Sequence, residues 1–282
     1  MSAPARPLPN FIGDVALRPS FTPRPGITHV VFDFDGTLSW VRHGWPEIMF
    51  GVFRRNLTPL PGETEAEREE LFSNIVFGLN GRPTIVQMHG FADLVRQRGG
   101  PALEAESLRR EFQDQLDAEI AARLAIIRGR RAALDAFVVF AARPLLERLR
   151  ELGIKPIVLS STIEHRVREE AEALGLTGYF GSHIYGSGPD PAAFSKMAVF
   201  RRLLAEEGIQ GEHLLSFGDG PVEISSTKEL GGLAIAVCSD ENNNGSGIMD
   251  SFKQRQLFDA GADAAIPDFR DAIALLDYLL GK

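Results

Sequence analysis

A short apolar run that ends abruptly on two carboxylates constrains this chain more than any other feature. Thr28-His29-Val30-Val31-Phe32 leads into Asp33-Phe34-Asp35-Gly36-Thr37-Leu38. The run predicts a buried strand, and buried strands normally end in turn residues, not in two acids one residue apart. Like charges that close repel unless a cation or a bound proton reconciles them. Magnesium suits that task because it prefers hard oxygen ligands and keeps part of its water shell. One carboxylate is then placed to attack an electrophile while the other moves protons. The plainer reading is a solvated loop with an Asp-Gly turn. A calcium loop does not fit, because its fifth position wants an acid or amide and its sixth a glycine. Those places hold Thr37 and Leu38.

Later segments repeat the same theme of apolar runs followed by polar residues. Apolar runs at Val30–Phe34, Ile157–Leu159, Leu214–Phe217 and Ala234–Val237 read as parallel strands. Amphipathic patterns separate the later ones, at Pro144–Leu152, Glu164–Leu174 and Lys196–Glu207. Such alternation predicts an α/β fold, a parallel sheet with helices on both faces. Ser161 with Glu164, and Thr64 with Glu67, have capping-box spacing. Residues 39–137 differ. They carry helical patterns at Glu65–Val76, Thr84–Gln97 and Leu103–Ile127 and little that reads as strand. They predict a helical domain inserted after the first strand, with the α/β core formed by 28–38 and 138–282. An insertion there belongs above the carboxyl ends of the strands, where open α/β sheets bind ligands.

The second and third predicted strand ends, and the helix start between them, also supply chemistry. Ser160, Ser161 and Thr162 follow the second strand and precede a helix, and hydroxyls with free N–H groups at a helix start form an anion site. A cap on that helix is the structural alternative for Ser161. Lys196 opens the next helix, where cations are disfavoured unless they face an anion. After the third strand comes Gly218-Asp219-Gly220-Pro221-Val222-Glu223. Asp219 and Glu223 are four apart and can address one cation. The segment partly mimics the dinucleotide fingerprint, but Glu223 stands where the third glycine belongs and would repel a pyrophosphate. No Walker-type phosphate loop is present.

Composition narrows the partners. The formal charge is −8, which argues against nucleic acid or anionic lipid as a partner. The basic cluster Arg128-Gly129-Arg130-Arg131 reads as a solvated hinge face. No apolar run approaches the ~20 residues that span a bilayer. The first 27 residues form an arm rich in proline (Pro4, Pro7, Pro9, Pro19, Pro23, Pro25) without the apolar core of a secretory signal. It is expected to be disordered or laid across the surface. Cys238 is the only cysteine, so no internal disulfide forms and a cytoplasmic address fits. Its setting after Leu233–Val237 predicts inert packing. His89, His165, His183 and His213 lack metal-ligand spacing, and the polar run Asp240–Gly247 reads as a flexible loop.

Taken together, these segments resemble the haloacid dehalogenase-like superfamily. Asp33-Phe34-Asp35-Gly36-Thr37 matches its first motif, Ser160 the second, Lys196 the third, and Asp219 with Glu223 the fourth. The resemblance covers roughly residues 28 to 282, and the insertion looks like the C1 type of cap. It implies a Rossmann-like core with a helical cap and magnesium as cofactor. Asp35 sets the chain apart from the dehalogenase and phosphonate-cleaving branches, which lack an Asp there, and the Asp-Lys-Thr-Gly-Thr run of P-type ATPases is absent. What remains is a phosphatase or a sugar phosphomutase. The expected reaction is hydrolysis of a small phosphorylated substrate, with Asp33 as nucleophile and Asp35 as general acid and base. Asp33, Asp35, Asp219 and Glu223 are the expected metal residues, and Ser160, Ser161 and Lys196 the phosphate-binding ones. A phosphomutase and a non-catalytic module that binds phosphorylated metabolites stay open as alternatives. Substrate contacts are expected from His43, Trp45, Arg82 and Gln87 in the insertion.

Overall fold

The computed structural model describes residues 8–79, 83–130, 132–188 and 194–282. The chain divides into two compact units, one made of the segments up to Val41 and from Ile127 to Lys282, the other of Arg42–Ile126. The second unit is helical: α1 (Trp45–Asn56), α2 (Glu65–Gly78), α3 (Thr84–Gln97) and α4 (Ala105–Arg128), whose last residues pass into the first unit. Phenylalanines hold it together. Phe53 stacks on Phe91 with centroids 4.0 Å apart, and Phe72 meets both edge-on. Thr64 and Glu67 form the capping box their spacing predicts, with Glu67 N donating to Thr64 Oγ1 at 3.2 Å and Thr64 N to Glu67 Oε2 at 2.8 Å.

The first unit is built on a seven-stranded sheet. Its strands are β1 (Ala16–Leu17), β2 (His29–Phe32), β3 (Lys155–Ile163), β4 (Ile184–Ser187), β5 (Leu214–Gly218), β6 (Leu233–Val237) and β7 (Ala264–Ile266). The order is β1-β7-β6-β5-β2-β3-β4, with every pair parallel except β1 with β7. The inner strands are mostly apolar because both their faces are covered: Val30, Val31 and Phe32, and all of β5 and β6, are buried. Phe32 stacks on Phe217 of the neighbouring strand at 5.3 Å and packs against Phe269 and Phe180. The covering helices are α5 (Ala142–Glu151), α6 (Glu164–Ala173), α7 (Thr177–Phe180), α8 (Lys196–Glu207), α9 (Pro221–Glu229), α10 (Ser251–Asp259) and α11 (Ala272–Leu279). Among the described residues no helix is long and apolar enough to cross a membrane.

Two sequence expectations change here, and the alternative left open for the proline-rich arm is decided. Residues 39–41, 127–130 and 132–137 lie in the first unit, not with the insertion. A backbone ribbon ties them in: Ser39 bridges Asp35 and Val138, Trp40 N donates to Phe137 O at 2.8 Å, and Val139 N to Leu38 O at 3.0 Å. From Leu8 onward the proline-rich arm is laid across the surface and completes the sheet, since β1 pairs with β7 in register Ala16↔Ala265 and Leu17↔Ala264. Arg18 donates to the carbonyls of Ala262 and Phe258, and Phe21 is buried in a stack on Tyr278. The run 240–247 is bonded along its length: Asp240 Oδ1 accepts from the N–H groups of Asn242 and Asn243, Asn244 binds Phe140 N and Val138 O, and Gly245 O accepts from Arg270.

Candidate active site

β2 lies between β3 and β5, so the chain runs outward in one direction after β2 and in the other after β5. This is the topological switch point, where a crevice opens at the carboxyl ends of the strands. Asp33 follows β2 directly, and its N–H still donates to Phe217 O of β5 at 2.9 Å. The chain then turns tightly, with Leu38 N and Ser39 N both donating to Phe34 O, at 2.9 and 2.8 Å. Gly36 makes that turn possible. Its φ is +73°, and a Cβ there would overlap Asp219 Oδ2, so the Asp219 carboxylate packs directly on this backbone.

Four strand ends contribute side chains. Lys196, the first residue of α8, sits between two acids, 2.9 Å from Asp33 Oδ1 and 3.0 Å from Glu223 Oε2. Its side chain is only 4 % exposed and that of Asp33 11 %. Glu223, in the first turn of α9, also accepts from Gly220 N at 2.5 Å. Gly218 and Gly220 allow this, because a Cβ on either would overlap the Glu223 side chain. Thr37 Oγ1 lies 3.5 Å from Asp219 Oδ1. Beyond β2 on the other side, Thr162 Oγ1 donates to Asp35 Oδ2 at 2.7 Å, and Ser160 Oγ lies 3.4 Å from the same oxygen.

Burial drives the electrostatics. It pushes the Asp33 carboxyl well above the usual carboxylate range, against the pull of Lys196, while Glu223 and Asp219 push it further up. Burial likewise raises Asp219 to about 7, with Lys253 pulling the other way. Lys196 stays an ammonium, since the carboxylates of Asp33 and Glu223 outweigh the cost of its burial. Oxygens of Asp33, Asp219 and Glu223 all lie within 4.8 Å of one another. Lys196 and Lys253 stand among four crowded acids, Asp33, Asp219, Glu223 and Glu241, which leaves negative charge unbalanced. A hard-oxygen donor set with that surplus fits magnesium.

The structure brings Asp33, Asp35, Ser160, Lys196, Asp219 and Glu223 together and treats the other candidates differently. Ser161 is exposed, and the helix expected to begin around it starts only at Glu164, with Ile163 as N-cap. The strand continues through these residues, so Ser160 and Thr162 share one side and Ser161 takes the other. Gln87 is buried, and its amide donates to Val76 O at 2.8 Å, a structural bond within the helical unit. His43 and Trp45 belong to that unit too; the His43 carbonyl accepts from Arg123, and the Trp45 ring meets Phe77 edge-on. Arg82 lies outside the described residues. Cys238 is buried, which pushes its thiol up to about 12. Sequence reasoning named Thr162 among the hydroxyls of an anion site but not as the partner of Asp35, and it missed Glu241 and Lys253. Lys253 carried a usable signal, because it sits in the first turn of α10, capped by Asp250, where a cation is as out of place as at Lys196.

Comparison with solved structures places this fold among known ones. A conserved haloacid dehalogenase-like protein of unknown function from Agrobacterium tumefaciens superposes with a TM-score of 0.61 at 19% identity, covering 89% of this chain and 97% of that one. A predicted phosphoglycolate phosphatase from Haemophilus somnus gives 0.57 at 19% identity over 89% and 98%. A HAD family hydrolase from Deinococcus radiodurans, with bound phosphate and sodium, gives 0.60 at 16% identity over 90% and 96%. No curated protein matches the sequence significantly. The family model for haloacid dehalogenase-like hydrolases matches residues 27–231. That span runs from the strand leading into Asp33 to the end of the helix that carries Glu223, and the chain belongs to the haloacid dehalogenase-like hydrolase family.

Proposed function

We propose that this protein is a magnesium-dependent phosphatase that hydrolyses a small phosphorylated metabolite through an aspartyl-phosphate on Asp33. The observation that carries this reading is the pairing of roles at the switch point. Asp33 is ion-paired to a buried lysine among acids, while Asp35, two residues on, is held instead by hydroxyl donors. A carboxylate beside a fixed cation suits nucleophilic attack, and one held by neutral donors suits proton transfer.

In the first step an Asp33 oxygen forms a bond to phosphorus as the ester P–O bond breaks, and Asp35 gives its proton to the departing alkoxide. In the second, Asp35 takes a proton from water as that water attacks the same phosphorus, and Asp33 leaves with inorganic phosphate released. Lys196 keeps Asp33 in place and offers positive charge to the phosphoryl oxygens. Ser160, on β3, offers a hydroxyl to the same phosphoryl oxygens. Asp33, Asp219 and the Asp35 carbonyl would hold magnesium, which supplies positive charge against carboxylate–phosphate repulsion. Glu223 already binds Lys196 and Gly220 N, so its part is to anchor the lysine and add charge to the cluster.

The test is release of inorganic phosphate from a generic phosphomonoester, with and without magnesium. Asp33→Asn is expected to bring turnover to background, and a variant at wild-type rate would end the nucleophile assignment. Asp35→Asn should lower kcat by about 10²–10⁴-fold, with substrate binding retained.

A further inference from the structure

Two buried lysines serve the acid cluster, and the chemistry proposed above uses one of them. The other is Lys253, in the first turn of α10, with a side chain 6 % exposed. Its ammonium lies 2.5 Å from Glu241 Oε1, 3.4 Å from Ser239 Oγ and 3.8 Å from Asp219 Oδ2. Ser239 Oγ in turn lies 3.4 Å from Gly36 O, on the turn against which Asp219 packs. Glu241 is 15 % exposed and belongs to the polar segment 240–247, whose backbone bonds fix where it stands. The layout repeats that of Lys196, which bridges Asp33 and Glu223.

We propose that Lys253 and Glu241 form a built-in counter-charge pair that positions Asp219 and sets how tightly the acid cluster binds a divalent cation. This rests on the reading of Asp219 as a cation ligand. Lys253 offers Asp219 a positive partner before any cation arrives, which holds the carboxylate against Gly36. The same ammonium opposes an arriving cation through like charge. Glu241 limits that opposition by drawing the ammonium to itself, since its contact is more than 1 Å shorter than that of Asp219. The two residues therefore act on cation affinity with opposite signs, because charges at this range in a buried site are weakly screened.

The experiment is calorimetric titration of magnesium into the metal-stripped full chain, without substrate. Four proteins are compared: wild type, Lys253→Met, Glu241→Gln and the double variant. Lys253→Met is expected to tighten magnesium binding and Glu241→Gln to weaken it, each on the order of tenfold. The charge-balanced double variant should return to within about twofold of wild type. A purely structural role predicts weaker binding in all three variants, and that result overturns the proposal, as does an affinity unmoved by either single change. If Lys253→Met does not fold, Glu241→Gln decides alone: weaker binding supports the pair, unchanged or tighter binding overturns it. Phosphate release by the same proteins separates this proposal from the phosphatase reading. Opposite affinity shifts without turnover keep the counter-charge pair and end the phosphatase. Magnesium-dependent turnover with unshifted affinities does the reverse, and a wild type that takes up no magnesium overturns both.

Discussion

Thr162 comes closer to Asp35 than Ser160 does, 2.7 Å against 3.4 Å. A hydroxyl donating to a carboxylate contributes about 1.5–3 kcal/mol when buried, and here it also fixes the direction in which Asp35 points. Thr162→Val keeps the shape and removes the donor. It should lower kcat by about 10- to 100-fold, the same energy read as a rate, with KM nearly unchanged. Ser161→Ala removes an exposed hydroxyl and should leave both constants within about twofold of wild type. Steady-state kinetics on the two variants check this, and equal losses in both would return Ser161 to the site. The acids and Lys196 were legible in the sequence because charge at a strand end or helix start is costly without a reason. Thr162 was legible only as one hydroxyl of an anion site and not as the partner of Asp35, because a hydroxyl costs nothing in any of these settings. Its role depends on β3 running on through Ile163 where the sequence reads as a helix start.

Among the elements, α3 and α8 fall where periodicity places them, over Thr84–Gln97 and Lys196–Glu207. Helix α1 was not legible: its N-cap is Gly44 in the left-handed region, with no side-chain cap to announce it. The strands missed are short. β7 is three residues, two of them alanines, β4 contains a glycine, and β1 is two residues in a proline-rich arm. Short strands take their identity from pairing, which a local pattern does not encode. The arm nevertheless covers the β7 edge, and exposed edges invite pairing with other chains. Phe21 anchors it at 5 % exposure, stacked 5.9 Å from Tyr278. Phe21→Ala is expected to cost about 3 kcal/mol in urea unfolding and to leave KM for the phosphomonoester unchanged. A midpoint that does not move would show that the arm adds nothing to the sheet.

For the whole molecule, strand order is what the sequence conceals and what makes the site. Three polar strand ends and the helix start at Lys196 were readable one by one, but only the placement of β2 between β3 and β5 brings Asp35 to Thr162 on one side and Asp33 to Asp219 and Glu223 on the other. That central strand begins at His29, whose titration couples global stability to pH. Burial holds the His29 imidazole below its ordinary value of 6.5; Lys155, His183 and His213 act in the same direction, and Glu207 opposes them. The folded protein therefore disfavours the imidazolium more than the unfolded chain does. The neutral ring's contribution is fully present above 6.5. It is lost as pH falls from there through the depressed folded value, because the unfolded chain takes up its proton first. Acidification also lowers a net charge of −8, which relieves self-repulsion and works in the opposite direction. A single melting curve against pH mixes the two effects, whereas a difference between variants removes the shared one. Urea unfolding of wild type and His29→Gln at pH 8 and pH 5.5 isolates the histidine. The wild type should lose stability relative to the variant on going to the lower pH. A difference that stays constant across that interval would mean that His29 titrates alike in both states and that burial at the start of β2 does not govern it.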